Sequence, residues 1–165
     1  MTLRLILMRH AKSSWDNPLL DDHQRSLNGR GRRSALAVGD WLRDNDYLPD
    51  QILSSSSTRT KETCAGLKLT ANARFLDALY HASADRMLAV LKSATGQCVL
   101  VLGHNPGIAW FARELVAAPP DHPRFHDYPT CATLVADFPT DNWANVRPGT
   151  GKVIDFIIPR ELTEC

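Results

Sequence analysis

A short apolar run near the amino terminus, residues 3–8, places the strongest constraint on how this chain can fold. Apart from Arg4 its side chains are all aliphatic or Met, which is typical of a strand buried on both faces of a sheet. Ligands of open α/β sheets bind just beyond the carboxyl ends of strands. Arg9 and His10 follow this run, and they predict an anion site with a nucleophile or base. The alternative is that both residues merely solubilise a strand end.

A second predicted strand, over residues 50–54, leads into a serine run and Thr58, which suit the N-terminal cap of a helix. That helix, expected over about residues 58–69, carries Arg59 in its first turn. Arginine is unfavourable at the positive end of a helix, and a residue that breaks a local rule is expected at a functional site. We therefore expect a bound phosphate to compensate for Arg59, and the ligand-free protein to be no less stable without it. The alternative is a solvated surface arginine.

The third such strand, over residues 97–102, is the most apolar of the chain and leads into Gly103 and His104. Asn105 suits the N-cap of the next helix, and Pro106 suits its first position. His104 is then expected between a strand end and a helix N-terminus, which is a place where proteins bind anions. The alternative is a histidine with no function beyond the turn.

The remaining periodicity predicts further helices and strands that continue this α/β pattern. They are expected as a helix after Asn28-Gly29 that buries Ala35, Val38, Gly39 and Leu42, a weak strand at 73–76, a helix at 84–91 and strands at 131–138 and 153–158. Residues 11–28 read as a long loop, a length that is usually functional. We expect a single domain over residues 1–165: an α/β fold with three layers, α/β/α, and a mostly parallel central sheet of about six strands.

The composition excludes several classes of function. A net charge of +1 without a basic run gives no reason to expect nucleic acid as a partner, and no stretch is long and apolar enough for a membrane span. The scattered cysteines form no CxxC pair and are expected in a reducing cytosol; they are Cys64, Cys98, Cys131 and Cys165. His122 and His126 lie in a loop with four prolines, which forbid the helix that would align them on a metal. We expect a cytoplasmic monomer.

The carboxyl ends of the three strands should share one edge of the sheet and bring together Arg9, His10, Arg59 and His104. Two arginines and two histidines describe a site for phosphoryl chemistry, because the guanidinium fork matches phosphate oxygens in pairs.

Inspection of the sequence removes the other common phosphoryl mechanisms. No cysteine lies six residues before an arginine, as a cysteine phosphatase requires. Asp44 and Asp46 have the spacing of an aspartyl-phosphate site but follow a helix, and Gly151-Lys152 lacks the rest of a P-loop. Histidine is the remaining nucleophile at a strand end.

These motifs resemble those of the histidine phosphatase superfamily, which has a phosphoglycerate mutase-like fold. Residues 9–13, Arg-His-Ala-Lys-Ser, resemble its Arg-His-Gly signature, residues 55–63 its second arginine motif and residues 103–106 its second histidine motif. The segment from Arg25 to Gly31 is similar to the one that leads into its first helix. With the short length and the ending at 156–162, the chain looks most like the SixA-type phosphohistidine phosphatases over essentially its whole length.

The chain departs from the family pattern at three positions. Ala11 replaces the usual glycine, and Asp16 stands where many relatives have an asparagine that contacts phosphate. A carboxylate at position 16 would repel phosphate, so that role is not carried over. Relatives that cleave phosphate esters also use a carboxylic acid as proton donor. Asp77 is the nearest candidate, although its surroundings do not identify it and SixA-like members can lack that acid.

The resemblance implies a phosphatase in which His10 becomes phosphorylated while Arg9, Arg59 and His104 hold the phosphoryl oxygens. It further implies a phosphohistidine-carrying signalling protein as the substrate, and no cofactor. The alternatives are a small-molecule phosphomonoesterase of the same superfamily and a phospho-ligand binding module without turnover. The neighbouring guanidiniums should lower the pKa of His10, and a backbone carbonyl should fix its tautomer.

We predict that phosphatase activity is unaffected by chelators. The sequence has no cluster of cysteine, histidine or carboxylate residues with the spacing of metal ligands, and two guanidiniums can neutralise phosphate charge in place of a metal. The measurement is the initial rate on an aryl phosphate with and without EDTA. Loss of activity that a divalent ion restores would contradict the prediction.

Overall fold

The central sheet of the computed structural model, which describes residues 2–163, is built from six strands. Met1, Glu164 and Cys165 lie outside the described residues, and with them the fourth predicted free cysteine. The strands are β1 (Leu3–Arg9), β2 (Gln51–Ser55), β3 (Ala73–Leu76), β4 (Cys98–Gly103), β5 (Thr133–Phe138) and β6 (Lys152–Ile157). The helices are α1 (Gly29–Asp44), α2 (Thr58–Leu67), α3 (Ala84–Lys92), α4 (Gly107–Leu115) and α5 (Arg160–Thr163). Short 3-10 turns lie at Asp22–Gln24, Asp77–Leu79 and Trp143–Asn145.

The strand order is β3-β2-β4-β1-β5-β6. The pairs β3–β2, β2–β4 and β4–β1 are parallel, whereas β5 runs antiparallel to both of its neighbours. The predicted α/β fold with a mostly parallel sheet of about six strands is therefore confirmed.

Both faces of the sheet are covered by helices, which explains the continuous apolar run in β1. Leu5 and Leu7 pack in one apolar cluster with side chains of α3 and α4, while Ile6 and Met8 pack in a second cluster with α1 and α2. Successive residues of a strand point to opposite faces, so a strand covered on both sides needs an apolar side chain at nearly every position. This packing forms the predicted three layers.

Helix α1 begins at the predicted Asn28-Gly29 entry and α2 is capped from the predicted serine run, whereas the predicted cap of α4 is wrong. Asn28 caps α1 by accepting a hydrogen bond from the Gly31 amide at 2.8 Å, and Ser57 caps α2. The prediction that Asn105 is the N-cap of α4 is wrong by one residue, because that helix begins at Gly107 after Pro106.

The Asn105 side chain explains the shift. It donates to the backbone carbonyls of Asp127 and Tyr128, at 2.8 and 3.1 Å, and so contacts the last part of the 117–130 loop. Its Oδ1 still accepts a hydrogen bond from the Ala109 amide at 3.2 Å. Asn105 therefore still accepts a hydrogen bond from the first turn of α4, although it lies one residue before the N-cap, Pro106.

Within the described residues, the helices are all too short or too polar to cross a membrane. The predicted loop over 117–130 contains no helix or strand, and the bridge between Ser13 and Leu27 closes the long loop of residues 11–28 at its base. That loop therefore begins and ends next to the end of β1.

We predict that Gly39→Ala lowers the free energy of unfolding by roughly 1–3 kcal/mol, which is typical of overpacking. Gly39 lies where α1 meets α2, and a Cβ there would overlap the carbonyl oxygen of Leu67. Urea denaturation measures the effect. The matched control is Gly29→Ala in the first turn of the same helix, where an added Cβ has ordinary contact with Arg33. Equal effects of the two substitutions would contradict the prediction.

Candidate active site

The ends of three strands meet at one cavity of about 190 Å³. The parallel register of β1 and β4 pairs Arg9 with Gly103, and the amide of His10 donates to the Gly103 carbonyl at 3.1 Å. His10 and His104 therefore lie side by side, with ring centroids 5.2 Å apart. The cavity is lined by the four residues that the sequence singled out, Arg9, His10, Arg59 and His104, together with Lys12, Ser13, Trp15, Asp22, Arg25, His81, Asn105 and Thr130.

His10 is held in one tautomer by the backbone. Its Nδ1 lies 2.7 Å from the carbonyl oxygen of Ala11, and a carbonyl can accept a hydrogen bond but not donate one. Nδ1 therefore carries the proton, and Nε2 keeps its lone pair. The side chain has the tautomer that a histidine nucleophile needs.

Burial keeps the His10 ring neutral. Loss of solvent is the main cause that lowers the pKa of His10 to about 3, and the charges of Arg9, Arg59 and Arg25 act in the same direction. The hydrogen bond with Ala11 partly offsets this lowering. The predicted direction is confirmed, but the sequence analysis named only two neighbouring charges as the cause.

His104 is oriented by two polar neighbours. Its Nδ1 lies 3.4 Å from an Nη of Arg59, which can only donate, so Nδ1 accepts. Nε2 then carries the proton and donates to the hydroxyl of Ser55 at 2.8 Å. Burial, followed by repulsion from His10 and Arg59, lowers the pKa of His104 to about 2. The serine run thus orients this histidine as well as capping α2, which the sequence analysis missed.

Arg59 is buried, with 2% of its surface exposed, and it is paired with Asp22. Its Nη1 donates to the Asp22 carbonyl at 2.6 Å and its Nη2 donates to the Asp22 carboxylate at 2.9 Å. Asp22 compensates for Arg59 without the bound phosphate that the sequence led us to expect in this role, and the alternative of a solvated surface arginine is wrong. Because these bonds form without any ligand, we expect removal of Arg59 to destabilise the ligand-free protein.

Asp22 also lines the cavity and was not expected there from the sequence. Besides Arg59, it accepts hydrogen bonds from Tyr80 at 2.5 Å and from His81 at 2.9 Å, and it forms an ion pair with Arg25. Burial by itself would raise the pKa of Asp22, but these hydrogen bonds lower it well below its usual range. The carboxylate is therefore ionised and provides negative charge inside a cluster of cations.

Arg25 adds a further guanidinium to the cavity. It donates to the Ser13 hydroxyl at 2.7 Å and lies over the ring of Trp15, with its central carbon 3.5 Å from the ring centroid. From the sequence, Arg25 is expected only in the segment before α1. Its spacing from Asp22, three residues, is the one local signal that could have paired the two.

Two of the arginines each have a hydrogen-bond donor that a bound anion would satisfy. The Nε groups of Arg9 and Arg59 are buried without a hydrogen-bond partner within residues 2–163, and Arg9 otherwise donates to the Tyr128 carbonyl at 3.2 Å. An unpartnered buried donor is costly, and a bound oxyanion would remove that cost. The cavity is therefore chemically suited to a tetrahedral anion with several acceptor oxygens.

The structure does not bring the remaining candidates into the cavity. Asp16 is exposed, and Asp77 accepts a hydrogen bond from Ser56 at 2.5 Å without lining the cavity. His122 pairs with Glu161 on the surface instead. Among the residues that the structure describes, no group of three or more potential metal ligands occurs.

Comparisons with known proteins agree with this geometry. A sequence profile of the histidine phosphatase superfamily (branch 1) matches residues 5–80. An uncharacterized protein of Mycobacterium tuberculosis is 31% identical over 164 residues, which cover 93% of this chain and 100% of the relative.

Two solved structures assigned to SixA, a phosphohistidine phosphatase, are similar over nearly the whole fold. The protein from Nakamurella multipartitia is 28% identical with a TM-score of 0.84, covering 96% of this chain and 97% of its own. The protein from Agrobacterium tumefaciens is 26% identical with a TM-score of 0.79, covering 95% of this chain and 98% of its own.

We predict that the free energy of unfolding falls as the pH decreases from about 6.5 toward about 4.5. In the unfolded chain His10 and His104 take up protons near pH 6.5, whereas in the folded protein burial lowers their pKa values to about 3 and about 2. The unfolded state therefore binds more protons across this window, which destabilises the folded state as the pH falls.

Urea denaturation at several pH values measures this dependence. Asp22 does not contribute in this range, because the stabilisation that it provides is lost only as the pH falls below 3.8, the ordinary pKa of its carboxyl group. The variant His10→Gln should retain a smaller slope, since it removes one of the two shifted groups. A slope identical to that of the unmodified protein would contradict the prediction.

Proposed function

The chain belongs to the histidine phosphatase superfamily, and on that premise we propose that it hydrolyses phosphohistidine on a protein partner through a phosphorylated His10. The enzyme class, a phosphatase, follows from the family; the substrate and the residue roles are our proposal. The observation that carries the proposal is the state of His10, a neutral ring whose Nδ1 is bound to the Ala11 carbonyl and whose Nε2 is free to attack.

In the first step, Nε2 of His10 attacks phosphorus and the bond from phosphorus to the leaving atom breaks. Arg9 and Arg59 hold the equatorial oxygens and stabilise the charge that develops on them. His104 joins them when its Nδ1 carries a proton and donates to a phosphoryl oxygen, in place of the hydrogen bond that it accepts from Arg59 in the ligand-free protein. In the second step, water attacks the phosphohistidine, the phosphorus–nitrogen bond breaks, and His10 returns to its neutral form with release of inorganic phosphate.

The surface beside the cavity supports a protein as the substrate. A groove of about 370 Å³ shares Arg9, Lys12 and Thr130 with the cavity. Its further basic residues come from separate segments, and they are Arg30, Arg124 and Arg160. Among the described residues that line the groove, the single carboxylate is Asp127, which is paired with Arg124 at 2.9 Å. Since the whole chain has a net charge of only +1, this local excess of positive charge favours an acidic partner surface.

The experiment that tests the proposal compares three substrates: a phosphohistidine protein, a sugar phosphate and an aryl phosphate. We expect the highest kcat/KM for the phosphohistidine protein. A preference for the sugar phosphate would favour a small-molecule phosphomonoesterase. If phosphate analogues bind but no substrate is turned over, and the aryl phosphate gives no burst of product, the protein is a phospho-ligand binding module instead.

We predict that His10→Ala abolishes turnover while phosphate analogues still bind, because only His10 forms a covalent bond and the guanidiniums remain. Rapid quenching of the unmodified enzyme should trap an acid-labile, base-stable phosphate label on the protein. The matched control is His126→Ala, an exposed histidine outside the cavity and the groove, which should keep normal activity. A label that survives in the His10→Ala protein would exclude His10 as the nucleophile.

A further inference from the structure

A third histidine, His81, lines the same cavity as His10 and His104 but lies at its rim. Its ring centroid is 5.0 Å from that of His104. About half of its side chain, 49%, is exposed, whereas only 6% of the His10 surface is exposed. His10 thus lies at the closed end of the cavity and His81 at the open end.

The position of His81 matters because of the geometry of phosphoryl transfer. The attacking and leaving atoms are roughly in line on opposite sides of phosphorus. When His10 attacks from the closed end, the leaving group departs toward the open end. His81 is a titratable side chain at this open end, on the side where the leaving atom must accept a proton.

Asp22 determines which nitrogen of His81 can exchange a proton with substrate. The His81 Nε2 lies 2.9 Å from a carboxylate oxygen of Asp22. An ionised carboxylate only accepts hydrogen bonds, so Nε2 is the donor in this contact. Nδ1 has no hydrogen-bond partner among residues 2–163. It is the ring nitrogen available for proton transfer.

The backbone at His81 is held in an unfavourable conformation. Its φ is +50°, in the left-handed region that residues with a Cβ seldom adopt outside functional or tightly held sites. Tyr80 contributes to this restraint, since its ring lies 4.2 Å from the His81 ring and its hydroxyl donates to the same Asp22 carboxylate. The ring of His81 is therefore fixed relative to the cavity from two sides.

We propose that His81 is the proton donor to the leaving group and that Asp22 is the residue that positions it. This inference rests on the proposed function. It adds the proton donor that could not be identified from the sequence. In the first step the bond from phosphorus to the leaving oxygen or nitrogen breaks, its electron pair stays on that atom, and the proton on Nδ1 of the imidazolium form of His81 transfers to it. In the second step His81 takes a proton from the attacking water.

The other acids near the site do not fit this role. Asp77 is bound to Ser56 and does not line the cavity. Asp22 is ionised and already accepts hydrogen bonds from Arg59, Tyr80 and His81, so it has no proton to give. His104 is neutral, and its Nε2 proton is committed to Ser55.

The test varies the leaving group. Phenyl phosphate releases phenol, whose pKa is about 10 and whose oxygen needs a proton, whereas p-nitrophenyl phosphate releases an anion that is stable near neutral pH. We expect His81→Ala to lose roughly 10²–10⁴-fold in kcat/KM on phenyl phosphate, the usual contribution of a general acid, and less than about tenfold on p-nitrophenyl phosphate. Added imidazole should restore part of the lost activity on phenyl phosphate.

Two further variants keep the test decisive. His81→Asn, whose side chain tolerates a left-handed backbone, replaces the alanine variant if thermal melting shows that His81→Ala fails to fold. Asp77→Asn is the matched control and should leave both rates unchanged. Equal losses on the two substrates, without rescue by imidazole, would overturn the role of His81. Failure of the unmodified protein to turn over either substrate would instead overturn the proposed function.

Discussion

The pairing of β1 with β4 is the constraint on which the site depends. Six consecutive residue pairs of this parallel ladder end at Arg9 and Gly103, and the next hydrogen bond joins the His10 amide to the Gly103 carbonyl. Both strands are buried between two helical layers, so a slip of one residue would exchange side chains between the two apolar clusters and disrupt the packing on both faces. The packing of the core therefore holds His10 and His104 side by side.

Once the strands bring these side chains together, their charges must be accommodated. His10 and His104 remain neutral chiefly because burial disfavours their charged forms. Arg59 stays charged in the interior, and the carboxylate of Asp22 balances it. The ligand-free protein therefore folds with a carboxylate beside the place where phosphate is proposed to bind, while the buried Nε groups of Arg9 and Arg59 have no hydrogen-bond partner among the described residues.

The same carboxylate connects binding to the proposed proton transfer. Asp22 contacts both Arg59 and His81, so a single residue of the long loop orients the proposed phosphate-binding group and the proposed acid. An imidazole that donates a proton suits the leaving nitrogen of the proposed phosphohistidine substrate, because general acids assist the departure of a leaving group that must be protonated. The basic groove next to the cavity extends the positive field over the surface that a protein partner would cover.

The sequence by itself determined the strands and most helix boundaries, because buried strands and helix caps leave local patterns. It also predicted that Arg9, His10, Arg59 and His104 line one site, because the strand ends share one edge of the sheet. Only the tertiary structure decided the partners of these residues. The contact of Asp22 with Arg59 spans 37 positions and that of His81 with Asp22 spans 59, and no periodicity encodes which loops approach each other. The start of α4 was misplaced for the same reason, since carbonyls of a distant loop hold Asn105. Such side-chain hydrogen bonds form wherever the packed core brings donors and acceptors within reach, and that distance exists only in the folded chain.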